Sequence, residues 1–218
     1  MPDQFTGFRF TGLRRKPARA PGFAAASAAL LSILFSAGCH SSMVAQPDSP
    51  ASFRGDNTVA DWPLKFVRHS FGAYCYDTIG CKVLYAGFPH GASSDDEVSP
   101  PASSRGPDYR KHWNAGHLAL PNFPPPAVVT WRSKDGSAHR AEVDIGEIFK
   151  DRLIVHDVPR ENIPEGVSIQ DPGIVLEVND RTINVCMKTF IPTKTLRTPG
   201  NPHSNYRYDP VLVWSRTY

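Results

Sequence analysis

Residues 127–143 commit this chain to sheet structure. Ala127-Val128-Val129-Thr130-Trp131 and the run from Ala138 to Val143 are both β-rich, and Lys134-Asp135-Gly136 separates them. Asp-Gly between two such runs is a strong hairpin signal, because a tight turn needs residues that accept a left-handed backbone. The same grammar recurs downstream. Gly173 to Val178 runs into Asn179-Asp180, and Arg181 to Ile191 returns, which predicts a second hairpin. Val211-Leu212-Val213-Trp214 predicts a last strand that pins the chain end into a sheet.

Further runs extend the pattern upstream. Leu64 to His69, Phe71 to Tyr76 and Cys81 to Tyr85 have strand composition, and Leu153-Ile154-Val155 reads as another short strand. Asp144 is placed to cap a brief helix ending near Lys150, with Glu147 three residues on as in a capping box. Ile145, Ile148 and Phe149 then share one face of it. Seven to nine short strands with turn signals predict a mainly β domain, an antiparallel β-sandwich with one or two short helices. Pro89 to Arg110, with four prolines and several serines, reads as a long irregular loop. Loops of that length inside a compact domain tend to be functional or disordered.

The other end of the chain carries a different pattern. Arg9, Arg14, Arg15, Lys16 and Arg19 precede the apolar stretch GFAAASAALLSILFSAG, which stops at Cys39. A membrane span needs about 20 predominantly apolar residues, and this stretch is short and rich in Ala and Ser. A basic region, an apolar region and small residues before a cut site make an export leader. Ser36-Ala37-Gly38-Cys39 resembles a lipobox, although Leu is usual where Ser36 stands. That resemblance implies cleavage before Cys39 and lipidation of it; an ordinary secretory leader or a short uncleaved anchor are the alternatives. The expected organisation is a leader over 1–38, a tether over 39–61 and one domain over 62–218. A tether of that length and composition has an r.m.s. reach of roughly 25 Å.

Loss of the leader changes the charge argument. Lys+Arg falls from 24 to 19 and Asp+Glu from 21 to 20, so the mature chain is near −1 rather than +3. No basic stripe remains to suggest a nucleic-acid partner. Membrane attachment would come from acyl chains, and more than one chain makes such an anchor stable. An exported domain sits where disulfides persist. Cys75 and Cys81, in CYDTIGC, are the first choice for a bridge across the turn between two strands. Pairings of Cys186 with Cys75 or Cys81 remain open at this stage, the alternative for Cys186 being a buried small hydrophobe.

The sequence holds no G-x-S-x-G elbow, P-loop or dinucleotide fingerprint. His112 and His117 lie five apart, on opposite faces of a strand and far from the spacing of a zinc helix. His139, Glu142 and Asp144 read as a solvated strand face. No enzyme activity, metal or cofactor is therefore expected. The acidic group Asp95-Asp96-Glu97 reads as a solvated loop tip or, more sharply, as a docking loop whose charge steers encounter with a basic patch. Three adjacent acids on a loop do not supply the two rigid positions that glycoside hydrolysis needs. Tyr109 and Trp113 flank the loop and are candidate interface anchors, with core packing as the alternative; Trp131 reads as core.

From Leu64 to Tyr218 the chain resembles a family of short proteobacterial lipoproteins. The segments carrying the resemblance are FGAYCYDTIGCKVLY, DYRKHWNAGHLALPNFPPPAVVTW, EIFKDRLIVHDVP, LEVNDRTINV, KTFIPTKT and LVWSRTY. Such proteins are encoded, often in tandem, beside lipase effectors of type VI secretion systems. The resemblance implies an immunity role: a lipoprotein that binds and neutralises a phospholipase toxin in the periplasm. The motifs look structural, so no functional residue is carried over. His40 and Ser41 follow Cys39, and the absence of Asp there implies sorting to the outer membrane. The other expectation is a structural or accessory envelope lipoprotein.

Overall fold

The computed structural model describes residues 57–58 and 62–218. The leader 1–38, Cys39 and most of the tether lie outside the described residues. Asn57–Thr58 (β1) pairs with Ser168–Ile169 (β8), so strand pairing begins ahead of Trp62, where the sequence placed the start of the domain.

Two sheets dominate. The first contains Arg68–Tyr76 (β2), His117–Pro121 (β5), Gly173–Asn179 (β9), Thr182–Lys188 (β10) and Pro210–Thr217 (β13), in the order β13-β10-β9-β2-β5. The second contains Thr78–Tyr85 (β3), Phe88–Ala92 (β4), Ala127–Ser133 (β6) and Ala138–Val143 (β7), in the order β4-β3-β6-β7. Short Ile191–Pro192 (β11) and Tyr206–Arg207 (β12) form a separate pair. The expected mainly β fold is present. Its larger sheet is mixed, because β2 runs parallel to β9 while its other neighbours are antiparallel.

Both expected hairpins form. Gly136 takes φ +87 in the β6–β7 turn, and Asp180 takes φ +50 between β9 and β10. Asp is among the few residues that visit this region readily, since its short side chain bonds locally. Asp144 accepts the backbone N–H of Glu147 at 2.9 Å and starts Ile145–Ile148 (α1). Ile145 and Phe149 are buried against the core from this turn.

Phe71 on β2, Leu176 on β9, Val185 on β10, Val83 and Tyr85 on β3 and Trp131 on β6 are each buried in the core between the two sheets. Trp131 is thus the core residue expected of it. The chain passes between layers at Asp77, φ +52, where β2 ends in one sheet and β3 begins in the other. Cys75 and Cys81 close that corner as a disulfide, with Cα atoms 6.3 Å apart. Cys186 is free and buried, which removes the alternative pairings.

Three expectations need correction. Leu64 to His69 is not a strand of its own: Arg68 and His69 begin β2, which runs on through Tyr76, and residues 64–67 lie outside any strand, with an isolated bridge at Lys65. Leu153-Ile154-Val155 is not a strand; Leu153 makes only an isolated bridge to Lys65. Nor is the segment from Pro89 to Arg110 irregular throughout. It opens inside β4 and later forms two 3-10 turns, Ala102–Arg105 and Tyr109–His112. β3 supplies hydrogen-bond partners along its free edge, and local loop composition does not reveal that.

Candidate functional site

The acidic group Asp95-Asp96-Glu97 sits on an ordered ledge. Ser93 donates its N–H to Cys81 O at 3.2 Å, and its Oγ accepts Cys81 N–H at 2.8 Å. Gly80 N–H reaches Ser94 O at 2.6 Å, and Ser99 N–H reaches Thr78 O at 2.8 Å. Residues 93–99 therefore continue the edge of the four-stranded sheet beyond β4. At the tip, Ser94 Oγ accepts the N–H groups of Asp96 and Glu97, each at 3.2 Å. Arg132 reaches from β6 to the carbonyl of Asp95. Lys82 pairs with the Asp95 carboxylate at 3.2 Å, between two well-exposed side chains. Asp96 and Glu97 are exposed and make no ion pair among the described residues. The ledge presents negative charge from a fixed backbone.

After the ledge, residues 102–114 form a strap over the outer face of the five-stranded sheet. Trp113 stacks on Tyr74 with ring centroids 5.5 Å apart and donates its indole N–H to Tyr76 Oη at 3.1 Å. It is 1% exposed, so it is no exposed anchor: its indole is the plug of a second core with Val175, Cys186 and Ala102. Tyr109 is also turned inward. Its hydroxyl donates to Glu177 Oε1 at 2.7 Å, and its ring packs edge-on to Tyr76 and Trp113. For Trp113 this is the core packing that was the alternative expectation, so its role as an exposed anchor is corrected; Tyr109 is half-buried, with its hydroxyl held beneath the strap.

The strap covers a polar layer. Glu177, on β9, is fully buried, and a carboxylate there is tolerable only if paired and hydrogen-bonded. Arg110 Nη2 lies 2.7 Å from Oε2, and Asn184 donates to the same oxygen at 2.9 Å. Ser215 on β13 then donates to Asn184 Oδ1 at 2.7 Å. Burial first, and the bond to Glu177 second, push the Tyr109 phenol up to about 12. Burial pushes the Cys186 thiol up to about 11, so it stays protonated and unreactive. Lys188, 4% exposed, gives its ammonium to the carbonyls of Lys111 and Trp113 at 2.7 and 2.8 Å. Burial lowers its pKa.

Beside the strap the outer face opens into a groove of about 530 Å³, bordered by Gly173, Asp171 and the exposed side chains of Leu118, Phe190 and Tyr208. The histidines also separate. His112 is exposed at the end of a 3-10 turn. His117 instead meets His90, Nδ1 to Nε2 at 3.4 Å with the rings stacked, and so links β5 to β4. His139 stacks on Trp131 and bonds Ser133 Oγ at 2.9 Å. Among the described residues no three His, Cys, Asp or Glu side chains gather as a metal site would require.

No family model, curated protein or solved structure matches the chain. Sequence reasoning missed Glu177, Asn184 and Arg110. Glu177 interrupts the apolar run Ile174-Val175-Leu176, and such runs signal strands buried on both faces. An acid inside one therefore demands a buried partner. That partner, Arg110, lies 67 residues away, where no local pattern points to it.

Proposed function

We propose that this protein is an immunity lipoprotein, anchored through Cys39 to the periplasmic face of the outer membrane, that binds and neutralises a phospholipase effector of type VI secretion. The ordered acidic ledge is the observation that supports the docking part of this reading. A tip fixed before encounter loses less freedom on binding than a mobile loop does. Its charge would steer association with a basic patch on the lipase. The Cys75–Cys81 bridge suits an oxidising compartment such as the periplasm. A lipid anchor would hold the inhibitor at high effective concentration beside the membrane under attack. No catalysis by this chain is needed: occupation of the lipase cleft suffices.

The test is affinity capture from the native organism with the full chain tagged at its C-terminus. Recovery of a phospholipase, with its activity lost on mixing, supports the proposal. Recovery of only envelope or secretion-machinery components, with no effect on a lipase encoded next to this gene, would favour an accessory envelope lipoprotein. Reversal of Asp96 and Glu97 to Lys, with Asp95 added in a second variant, should slow association and weaken its salt dependence. Unchanged kinetics in the triple variant would remove the ledge from the interface.

A further inference from the structure

β5 stays beside β2 only as far as Phe71, and the strap then crosses the outer face of the sheet above Gly72. From Ala73 to Tyr76, β2 is paired with β9 on one side and with no strand on the other. Gly91 of β4, at φ +61, closes the bottom of that gap: a Cβ there would lie 3.0 Å from Ala73 O. Between β4 and the strap a pocket of about 490 Å³ remains, a volume within the range of ligand sites.

The pocket's chemistry is one-sided. Tyr74, Tyr76, Tyr109 and Trp113 give it an aromatic wall. No Asp or Glu borders it among the described residues, the acids of the ledge included. Arg105 and His112 do border it, and both are exposed. Arg105 makes no ion pair and no hydrogen bond among the described residues, so its guanidinium donors are left to solvent. Glu177, the acid buried beneath the strap, is already matched by Arg110 at 2.7 Å, and Asp108 on the strap by Lys111 at 2.9 Å.

Tyr76 adds a second donor. It is 8% exposed, and its hydroxyl accepts the Trp113 indole N–H at 3.1 Å, while its own proton has no acceptor among the described residues. Burial raises its pKa and so keeps that proton in place; the Arg105 charge works against the shift, and therefore reaches the hydroxyl. An unused buried donor is costly, and a ligand oxygen would complete the chain that runs from Trp113 through Tyr76. One guanidinium without a counter-charge favours one negative charge, and its planar fork matches a carboxylate. Aromatic walls favour a flat ring.

We propose that the pocket between β4 and the strap binds a small aromatic carboxylate, its oxygens held by Arg105 and the Tyr76 hydroxyl and its ring packed on the aromatic wall. The site does not depend on the immunity reading, because the test needs no partner protein.

The probe is 2-naphthoate, titrated into the full chain and followed by NMR. 2-Naphthylmethanol supplies the ring without the charge, hexanoate the charge without the ring, and sodium chloride the ionic strength alone. Naphthoate should give saturable shifts of the Trp113 indole N–H and of the Cys75 and Ala92 amides, and should bind roughly tenfold tighter than either half-probe. Arg105→Gln should weaken it by about tenfold or more at an unchanged thermal midpoint, since Arg105 holds nothing in the free protein. Arg105→Lys should recover part of that loss, because it restores the charge without the fork. Tyr76→Phe should weaken binding several-fold, but it also deprives Trp113 of its acceptor, so the arginine variants decide. Equal affinity for either half-probe, unchanged affinity in Arg105→Gln, or saturable shifts confined to other parts of the domain would each overturn the proposal.

Discussion

Arg110 Nη2 lies 2.7 Å from Oε2 of Glu177, joining the strap to the centre of the five-stranded sheet. The carboxylate has no solvent exposure, while the arginine side chain keeps 34% of its own. The pair therefore orients the strap more than it adds net stability, because desolvation offsets much of the Coulomb attraction. Three polar side chains are arranged around that carboxylate: Tyr109 and Asn184 donate to it, and Ser215 holds Asn184 in place.

Breaking the pair from one side should be far worse than softening it. Arg110→Met leaves a buried, uncompensated carboxylate and should cost about 3 kcal/mol, the low end for such sites because solvent reaches the arginine. Glu177→Gln keeps an acceptor for Tyr109 and leaves the partly exposed arginine to water, and should cost roughly 1 kcal/mol. Urea unfolding of the two variants and of the double variant measures the difference. Equal losses in the two single variants would contradict the burial asymmetry.

Three histidines set the pH response. His69, His90 and His156 all have lowered pKa values in the fold, burial being the largest cause in each. His69 is fully buried, its ring nitrogens engaged with Asn122 at 2.8 Å and Tyr85 at 3.0 Å. His90 additionally faces His117, whose positive charge would oppose its own. Unfolded, each ring regains a value near 6.5. Below that value the unfolded chain binds more protons than the native one, so stability is full above about pH 6.5 and falls as pH drops. The urea midpoint should therefore decline from pH 7.5 to pH 5, and His90→Gln should flatten part of that decline. A flat profile in the parent protein would show that these rings do not carry the linkage.

The hairpins and the capped turn at Asp144 were legible because each is written in adjacent residues: Asp135-Gly136, Asn179-Asp180, Asp144 with Glu147. The parallel pairing of β2 with β9 was not, since Ser70 meets Gly173 across a separation that no periodicity records. The ledge was legible as an acidic group but not as an ordered one, because its order comes from the edge of β3. Trp113 shows the same limit. A tryptophan beside a Pro/Ser-rich loop has the composition of an exposed anchor, and only the tertiary partner Tyr76 decides otherwise.

The disulfide should act through the unfolded chain. Its cysteines are six apart in sequence, so it closes a short loop and should contribute about 2 kcal/mol in the chain-entropy picture. Cys75→Ala with Cys81→Ala should lower the unfolding free energy by that order, with a further loss because Cys81 is fully buried. Thiol labelling gives an independent check. With Cys39 replaced by Ser, the native protein should take up no label, since Cys186 is buried and held protonated. Prompt labelling of Cys186 in the folded state would mean that the strap opens readily.

Two glycines beside the strap should respond very unequally to the same added methyl. A Cβ on Gly72, in β2, would sit 2.4 Å from the backbone oxygen of Asn114 and 3.1 Å from Ala115 Cα. Both atoms are main chain, so they cannot swing aside as a side chain would. Gly72→Ala must push the strap outward, strain the Tyr74–Asn114 bond of 2.8 Å and loosen Trp113 in its second core. Overpacking of this kind costs about 1–3 kcal/mol. Gly116 has open space around its Cβ position, so Gly116→Ala should stay within about 0.5 kcal/mol of the parent. Urea unfolding gives the energies, and near-ultraviolet circular dichroism reports the packing of Trp113. Loss of the tryptophan signal in Gly72→Ala, with the sheet retained and Gly116→Ala unchanged, would locate the damage in the strap; equal behaviour of the two variants would mean that the strap is not held against β2 as closely as the geometry requires.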